Sequence, residues 1–300
     1  MFLRIVTGII GIIIAAFVIQ TGGAVFACFA ILLTLVGWHE YSNAFRQVGV
    51  MTTYIFGACT LILMLCCAWL GSLEELLAVL TLGILAIFLL MVFLNGSVRP
   101  TDACVSVAGV LYVGLPFAHL ILLRFLSNEP QPLEDINDLT TLANEGTEAL
   151  SKIDTGQILS TLNFDTGCAL IWVLFLCTWA SDTFAYFVGS AIGSHKLASS
   201  ISPKKTIEGF LGSLVGTTLT AAAVGGFVFS FPLFEMAAAG FLLAIVATLG
   251  DLVESVIKRF AGIKDSGILI PGHGGVLDRF DSILYTAPIF YYFVVVAGII

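Results

Sequence analysis

The chain has 300 residues, of which 59% are hydrophobic and 11% charged, and its formal net charge is −8. A soluble domain carries about a quarter charged residues. With a mean hydropathy of +1.06, this chain cannot keep a surface of that kind wetted, and its excess apolar area must face lipid. A soluble enzyme is thereby excluded. The negative charge indicates no cationic partner, because many of the acids share one loop, and nothing points to nucleic acid. The seven cysteines lie inside apolar stretches with no C-x-x-C or Cys/His pair, so they read as small buried hydrophobes.

A membrane span needs about 20 apolar residues. Nine stretches qualify, at about 3–20, 22–38, 50–71, 74–94, 103–126, 166–191, 209–231, 233–257 and 283–300. The expected fold is therefore all-α, a polytopic bundle of about nine transmembrane helices. The first stretch, behind Arg4, reads as a retained span, because no cleavage site and soluble domain follow it. The third and fourth are split at Gly71-Ser72-Leu73-Glu74-Glu75, since two adjacent glutamates do not sit in hydrocarbon without partners. No fixed-period repeat is visible.

With nine spans and a cytoplasmic N-terminus, ten of the twelve lysines and arginines fall on the cytoplasmic side, leaving Arg124 and Lys152 outside. Seven acids, from Glu129 to Asp154, then share one outer loop, about 127–165, with a short helix expected through Leu139–Leu150. The organisation is N-terminal spans over 1–126, that acidic loop, and a C-terminal region over 166–300 carrying a cytoplasmic-face site. A bacterial inner membrane is the expected location.

The chemistry concentrates in two cytoplasmic loops. The first follows the sixth span: Asp182-Thr183-Phe184-Ala185-Tyr186, then Ser202-Pro203-Lys204-Lys205-Thr206-Ile207-Glu208-Gly209. Asp182, Tyr186 and Gly189 share a helical face. Pro203 keeps Ser202 out of helix, and Thr206 can cap the seventh span. Lys204 and Lys205 beside a helix start favour phosphate, although paired lysines are also common positive-inside residues.

The second loop is denser. Asp251, Glu254, Ser255 and Lys258 form one polar stripe, followed by Arg259, Lys264-Asp265-Ser266-Gly267, Pro271-Gly272-His273-Gly274-Gly275 and Asp278-Arg279-Phe280-Asp281. Glycines beside His273 let backbone amides approach phosphate oxygens. Carboxylates on two separate helix ends suit a hard divalent cation, which takes one or two carboxylates and shares substrate phosphates. Glu40, beside His39 at the second span's inner end, reads as half of a structural pair. No Walker loop, dinucleotide fingerprint or G-x-S-x-G elbow occurs, and four histidines are too few for a multi-histidine metal site.

The run from Ser255 to Asp281, S-V-I-K-R-F-A-G-I-K-D-S-G-I-L-I-P-G-H-G-G-V-L-D-R-F-D, resembles throughout the signature of the phosphatidate cytidylyltransferase family. The upstream S-P-K-K-T-x-E-G and D-T-x-A-Y are similar to that family too, in its usual order. The resemblance implies that CTP and phosphatidic acid give CDP-diacylglycerol and pyrophosphate, with one or two divalent cations, usually magnesium, in a membrane homodimer. On this reading Asp251 and Asp278 are the first candidates for metal ligands, Asp281 a further one, and Asp182 holds a second ion or stands behind the ligands. Lys204, Lys205, Lys258, Arg259 and Arg279 neutralise phosphates, and Ser202, Thr206, Lys264, His273, Gly274 and Gly275 complete the substrate-binding set. The alternatives are a CTP-dependent polyprenol or phytol kinase and a transporter of an anionic metabolite.

Overall fold

The structure, a computed structural model, describes residues 2–94, 96–126, 164–269 and 274–300, with side chains from Val6 onward. The outer loop with its expected helix, apart from its last residues, and Pro271-Gly272-His273 lie outside the described residues. The fold is helical: α1 (Phe2–Thr21), α2 (Gly23–Gln47), α3 (Tyr54–Trp69), α4 (Leu73–Phe93), α5 (Pro100–Arg124), α6 (Thr166–Ile192), α7 (Ile207–Val228), α8 (Leu233–Ala261), the short α9 (Leu277–Phe280) and α10 (Ile283–Val296).

Six of these, α2 and α4 to α8, are long and apolar enough to cross a membrane, and the chain is an integral membrane protein. Helices α3 and α10 are shorter, and α1 runs 20 residues. At 1.5 Å per residue, the 14 residues of α10 reach only about 21 Å. Among the described residues, six of the nine expected stretches stand as helices of full spanning length and apolarity. Helix α4 shows what its outer face meets: Leu77, Leu82, Leu85, Leu89 and Val92 are all more than half exposed. In water that stripe would be an aggregation site; in lipid it costs nothing.

Local sequence explains the helix limits. Ser72 caps α4 through its Oγ, which accepts the Glu75 N–H at 3.3 Å. Glu74 and Glu75 then occupy the first turn, where the helix dipole favours anions. Helix α5 widens into a π stretch over Val110–Gly114, just before Pro116, whose missing N–H leaves the Tyr112 carbonyl without its α-helical donor. One departure from the helical expectation is a hairpin between α6 and α7, in which β1 (Lys196–Ala198) pairs antiparallel with β2 (Ser202–Thr206). Pro203 is tolerated there because a two-stranded hairpin is all edge.

Side-chain contacts define the two ends of the bundle. At one end Arg124, buried at the close of α5, donates to the Ile19 carbonyl of α1 at 3.1 Å and to both oxygens of Asp165 at 2.8 and 2.9 Å. Asp165 also caps α6, accepting the Cys168 N–H at 2.6 Å. Asp165→Ala removes both the cap and the counter-charge of a buried guanidinium. We expect a loss of about 1–3 kcal/mol, read as a lowered unfolding temperature in detergent, with turnover at low temperature little changed because the site lies at the other end.

Candidate active site

The polar stripe on α8 forms as its spacing requires. Ser255 Oγ donates to Asp251 Oδ1 at 3.3 Å, and Lys258 Nζ lies 2.5 Å from Glu254 Oε2 one turn further on. Lys258 also donates to Asp278 Oδ1 of α9 at 2.8 Å, so one ammonium bridges carboxylates from two elements. Hairpin strand β2 delivers Lys205, whose Nζ sits 2.6 Å from Asp251 Oδ2.

That strand is held by its neighbours in the motif. Thr206 is buried and caps α7 by accepting the Gly209 N–H at 3.1 Å, as its position predicted. Glu208 accepts the Ser194 and His195 backbone N–H groups at 3.1 and 3.2 Å and faces His195 Nδ1 at 2.6 Å, closing the base of the hairpin. Ser202 pairs with Ala198 in the hairpin register. Lys204, Arg259 and Lys264 are exposed along the same end of the bundle.

Asp278 is the most heavily bonded of the expected ligands. Its Oδ2 accepts the Ser266 N–H at 2.7 Å, the Ser266 hydroxyl at 2.8 Å and the Gly275 N–H at 2.8 Å, while Oδ1 takes Lys258. Burial pushes its carboxyl up, but the Lys258 ammonium, the Gly275 amide and Ser266 outweigh that, and it titrates below the ordinary aspartate range. As arranged, Asp278 anchors the loop before α9. Gly274 makes this possible: its φ is +94°, and a Cβ there would lie 2.7 Å from Asp278 Oδ2.

Asp281 behaves in the opposite way. Burial and the negative charge of Asp251 push its carboxyl up to about 7, with Asp182 adding to the rise, while the Ser282 N–H (2.6 Å) and Lys258 oppose it. Asp182, Asp251 and Asp281, from α6, α8 and the α9–α10 joint, are thus three mutually repelling carboxylates in one electrostatic neighbourhood. Lys205, 2.6 Å from Asp251, offsets part of that repulsion, and a bound cation would offset more.

Among the described residues no three His, Cys, Asp or Glu side chains stand close enough together to enclose a metal ion by themselves. The hard oxygen donors present nonetheless fit magnesium, which commonly uses one or two carboxylates and fills its shell with water and phosphate.

One residue of the site escaped its sequence context. Glu40 does not pair with His39, which instead meets Asn43 at 2.8 Å and the Tyr54 hydroxyl at 3.4 Å. Consecutive helical residues point about 100° apart and do not face each other. Helix α2 runs nine residues beyond the expected span end and carries Glu40, which is buried, into the second loop. Its oxygens accept the Val276 and Leu277 N–H groups, both at 2.9 Å, and the Ser266 hydroxyl at 3.2 Å. Gly275 packs so closely on this carboxylate that a Cβ there would overlap it. A glutamate at the end of an apolar run, far in sequence from any motif, was the available signal, and only its buried position gives it meaning.

The fold and site together define an integral membrane protein with a recessed cluster of carboxylates and cations at one end of a helical bundle. The chain belongs to the cytidylyltransferase family, which it matches over residues 2–297. It is similar to a phosphatidate cytidylyltransferase of Synechocystis sp., with 35% identity covering 97% of this chain and 96% of the relative. The enzyme of the same name from Staphylococcus haemolyticus is 30% identical over 96% of this chain and 97% of its own length. A Staphylococcus aureus enzyme so named is 45% identical over 41% of this chain and 48% of the relative.

Proposed function

We propose that this protein transfers the cytidylyl group of CTP to phosphatidic acid, giving CDP-diacylglycerol and pyrophosphate. The observation that carries the reading is the convergence of Lys205, Asp251, Lys258, Asp278 and Asp281, from separate elements, at one end of a lipid-embedded bundle. A site placed there meets a lipid that stays in the bilayer and a nucleotide that stays in water. The names of the full-length relatives support the same reaction.

In this reaction a phosphatidate oxygen attacks the α-phosphorus of CTP, a new P–O bond forms, and the bond to the pyrophosphate oxygen breaks. The phosphate is already ionised at neutral pH, so the protein has little proton transfer to perform. Its work is to hold two polyanions in line and to stabilise the leaving charge. Lys205 and Lys258 are pre-set by their carboxylate partners, which fixes their ammonium groups before substrate arrives. Arg279, Arg259, Lys204 and Lys264 add positive charge along the mouth of the site. Asp251 and Asp281, with Asp182 beside them, are the residues that would hold magnesium, and Asp278 holds the loop that carries Gly274 and Gly275. When bound, magnesium supplies charge neutralisation for the phosphates. The site end faces the cytoplasm in this proposal, and the protein works as a homodimer in a bacterial inner membrane.

The test is turnover of detergent-solubilised protein with α-labelled CTP, phosphatidate and magnesium. We expect label in the lipid phase as CDP-diacylglycerol, lost in chelator. Label passing instead from γ-labelled CTP to a lipid alcohol would make the protein a kinase, and a folded protein that labels neither lipid would turn attention to anion transport.

A further inference from the structure

The two adjacent lysines of the hairpin have different surroundings. Successive residues of a strand point to opposite sides. Lys204 is exposed, while Lys205 turns inward, its Nζ 2.6 Å from Asp251 Oδ2 and 3.5 Å from the Thr248 carbonyl of α8. The other oxygen of Asp251, Oδ1, accepts the Ser255 hydroxyl. Lys205 and Asp251 are each less than a third exposed, so salt screens their attraction less than it would on an open surface. The strand around Lys205 is fixed: Ser202 pairs with Ala198, and Thr206 is buried and caps α7. What can move is the side chain, an ammonium on a flexible four-carbon stem.

We infer that Lys205 is a built-in substitute for the divalent cation at Asp251, holding the carboxylate until the ion arrives and then passing to a phosphate of the nucleotide. The inference rests on the role proposed above for Asp251. That carboxylate is the acid whose charge bears most on Asp281, and Lys205 already supplies it with a positive partner. Magnesium lies about 2 Å from the oxygens that bind it, so an ion on Oδ2 comes within about 5 Å of the ammonium where that group now sits. Two cations so close in a partly buried site repel each other strongly. Rotation of the lysine stem relieves the repulsion, and a polyphosphate beside the hairpin gives the ammonium a new anion. Before the ion binds, the acidic trio is thereby kept partly neutralised; afterwards, one more positive charge is turned toward the phosphates. The exchange is reciprocal: the factor by which Lys205 weakens ion binding is the factor by which the ion loosens Lys205 from Asp251.

Ion binding without substrate reads this directly. Detergent-solubilised protein is titrated with Mn²⁺, which shares magnesium's preference for oxygen ligands, and unbound ion is counted from its electron paramagnetic resonance signal. We expect Lys205→Met to bind Mn²⁺ at least about fivefold more tightly than wild type, the lower end of common coupling factors. Lys205→Arg keeps the charge and should stay within about twofold of wild type. Lys196→Met removes an exposed charge from the same hairpin and should also stay within about twofold, because that charge is screened by solvent. In an Asp251→Asn background, Lys205→Met should no longer tighten binding, since the shared anion is gone. Equal or weaker binding by Lys205→Met than by wild type overturns the inference. So does an equal gain in Lys196→Met, or a gain that persists without the Asp251 carboxylate.

A second readout follows the lysine itself. Wild-type protein is briefly acylated with an N-hydroxysuccinimide ester, with and without saturating Mg²⁺, and each modified lysine is quantified by mass spectrometry. Lys205 should react about fivefold faster or more with the ion present, and Lys196 at an unchanged rate. A Lys205 reactivity that Mg²⁺ leaves unmoved overturns the inference. Neither measurement uses CTP or phosphatidate, so a protein that passed both and transferred no cytidylyl group would keep the exchange at Asp251 and lose only the proposed reaction.

Discussion

Asp278→Ala is expected to lower turnover by about 10²–10³-fold, the cost commonly seen when one preorganised charge partner is removed. Four hydrogen bonds end on this carboxylate, from Lys258, the Ser266 amide and hydroxyl, and the Gly275 amide. Removing it leaves the Ser266 and Gly275 amides without their acceptor, each at a cost of about 1–3 kcal/mol where it stays buried. It also leaves Lys258 leaning on Glu254 alone, away from the loop it helps to position. Asp278→Asn separates charge from shape. The asparagine carbonyl can serve the Ser266 and Gly275 amides, but its NH₂ then faces the Lys258 ammonium and repels it. Unfolding temperature should fall less in the asparagine variant than in the alanine variant, while turnover falls by a similar factor in both. Turnover near wild type in the asparagine variant would show that the carboxylate is a loop anchor whose charge plays no part in catalysis.

Glu40→Ala should be nearly as damaging, although this residue belongs to no motif. Ser266, Val276 and Leu277 are attached to α2 through Glu40, at the Ser266 hydroxyl and at the Val276 and Leu277 amides. Without the carboxylate these amides lose their acceptor in a buried setting, and the glycines packed on it face a void. We expect turnover to fall by about 10²-fold, since misplacing a binding group by about 1 Å can cost that much. Tryptic cleavage after Lys264 should become faster, because local opening exposes the backbone. Glu40→Gln can accept from one amide at a time and presents its own NH₂ to the other, so its loss should be intermediate. If both variants kept wild-type turnover and protease resistance, the loop would have to be held by other contacts.

Much of this molecule is readable without coordinates, and the reasons are local. Hydrocarbon demands long apolar helices, so the apolar stretches of the sequence stand as helices, six of them of spanning length among the described residues. The spacing of Asp251, Glu254, Ser255 and Lys258 is enough to align them on one face of α8, because helical geometry is set by the backbone and not by its neighbours. Thr206 caps α7 for the same reason, since a threonine oxygen three residues from an amide reaches it within one turn. The hairpin over 196–206 was less legible. Its strands are three and five residues long, with no alternating apolar pattern, and they form because Glu208 gathers the turn's base while Lys205 is drawn to Asp251.

Residue roles divide along the same line. Sequence alone determines that this is a membrane-embedded helical protein whose ionisable groups gather near the ends of its later helices, and it picks out the run from Ser255 to Asp281. Which carboxylate does what is decided by partners that are distant in sequence. Asp278 and Asp281 differ by three positions and by nothing in composition. One is saturated by Lys258, Ser266 and Gly275 and held below the ordinary range, while the other, half-buried and under the negative charge of Asp251, is pushed up to about 7. Glu40 could be placed only by folding, because its partners lie more than two hundred residues away. Electrostatic environment and packing are properties of what surrounds a side chain, and in this chain those surroundings are assembled from opposite ends of the sequence.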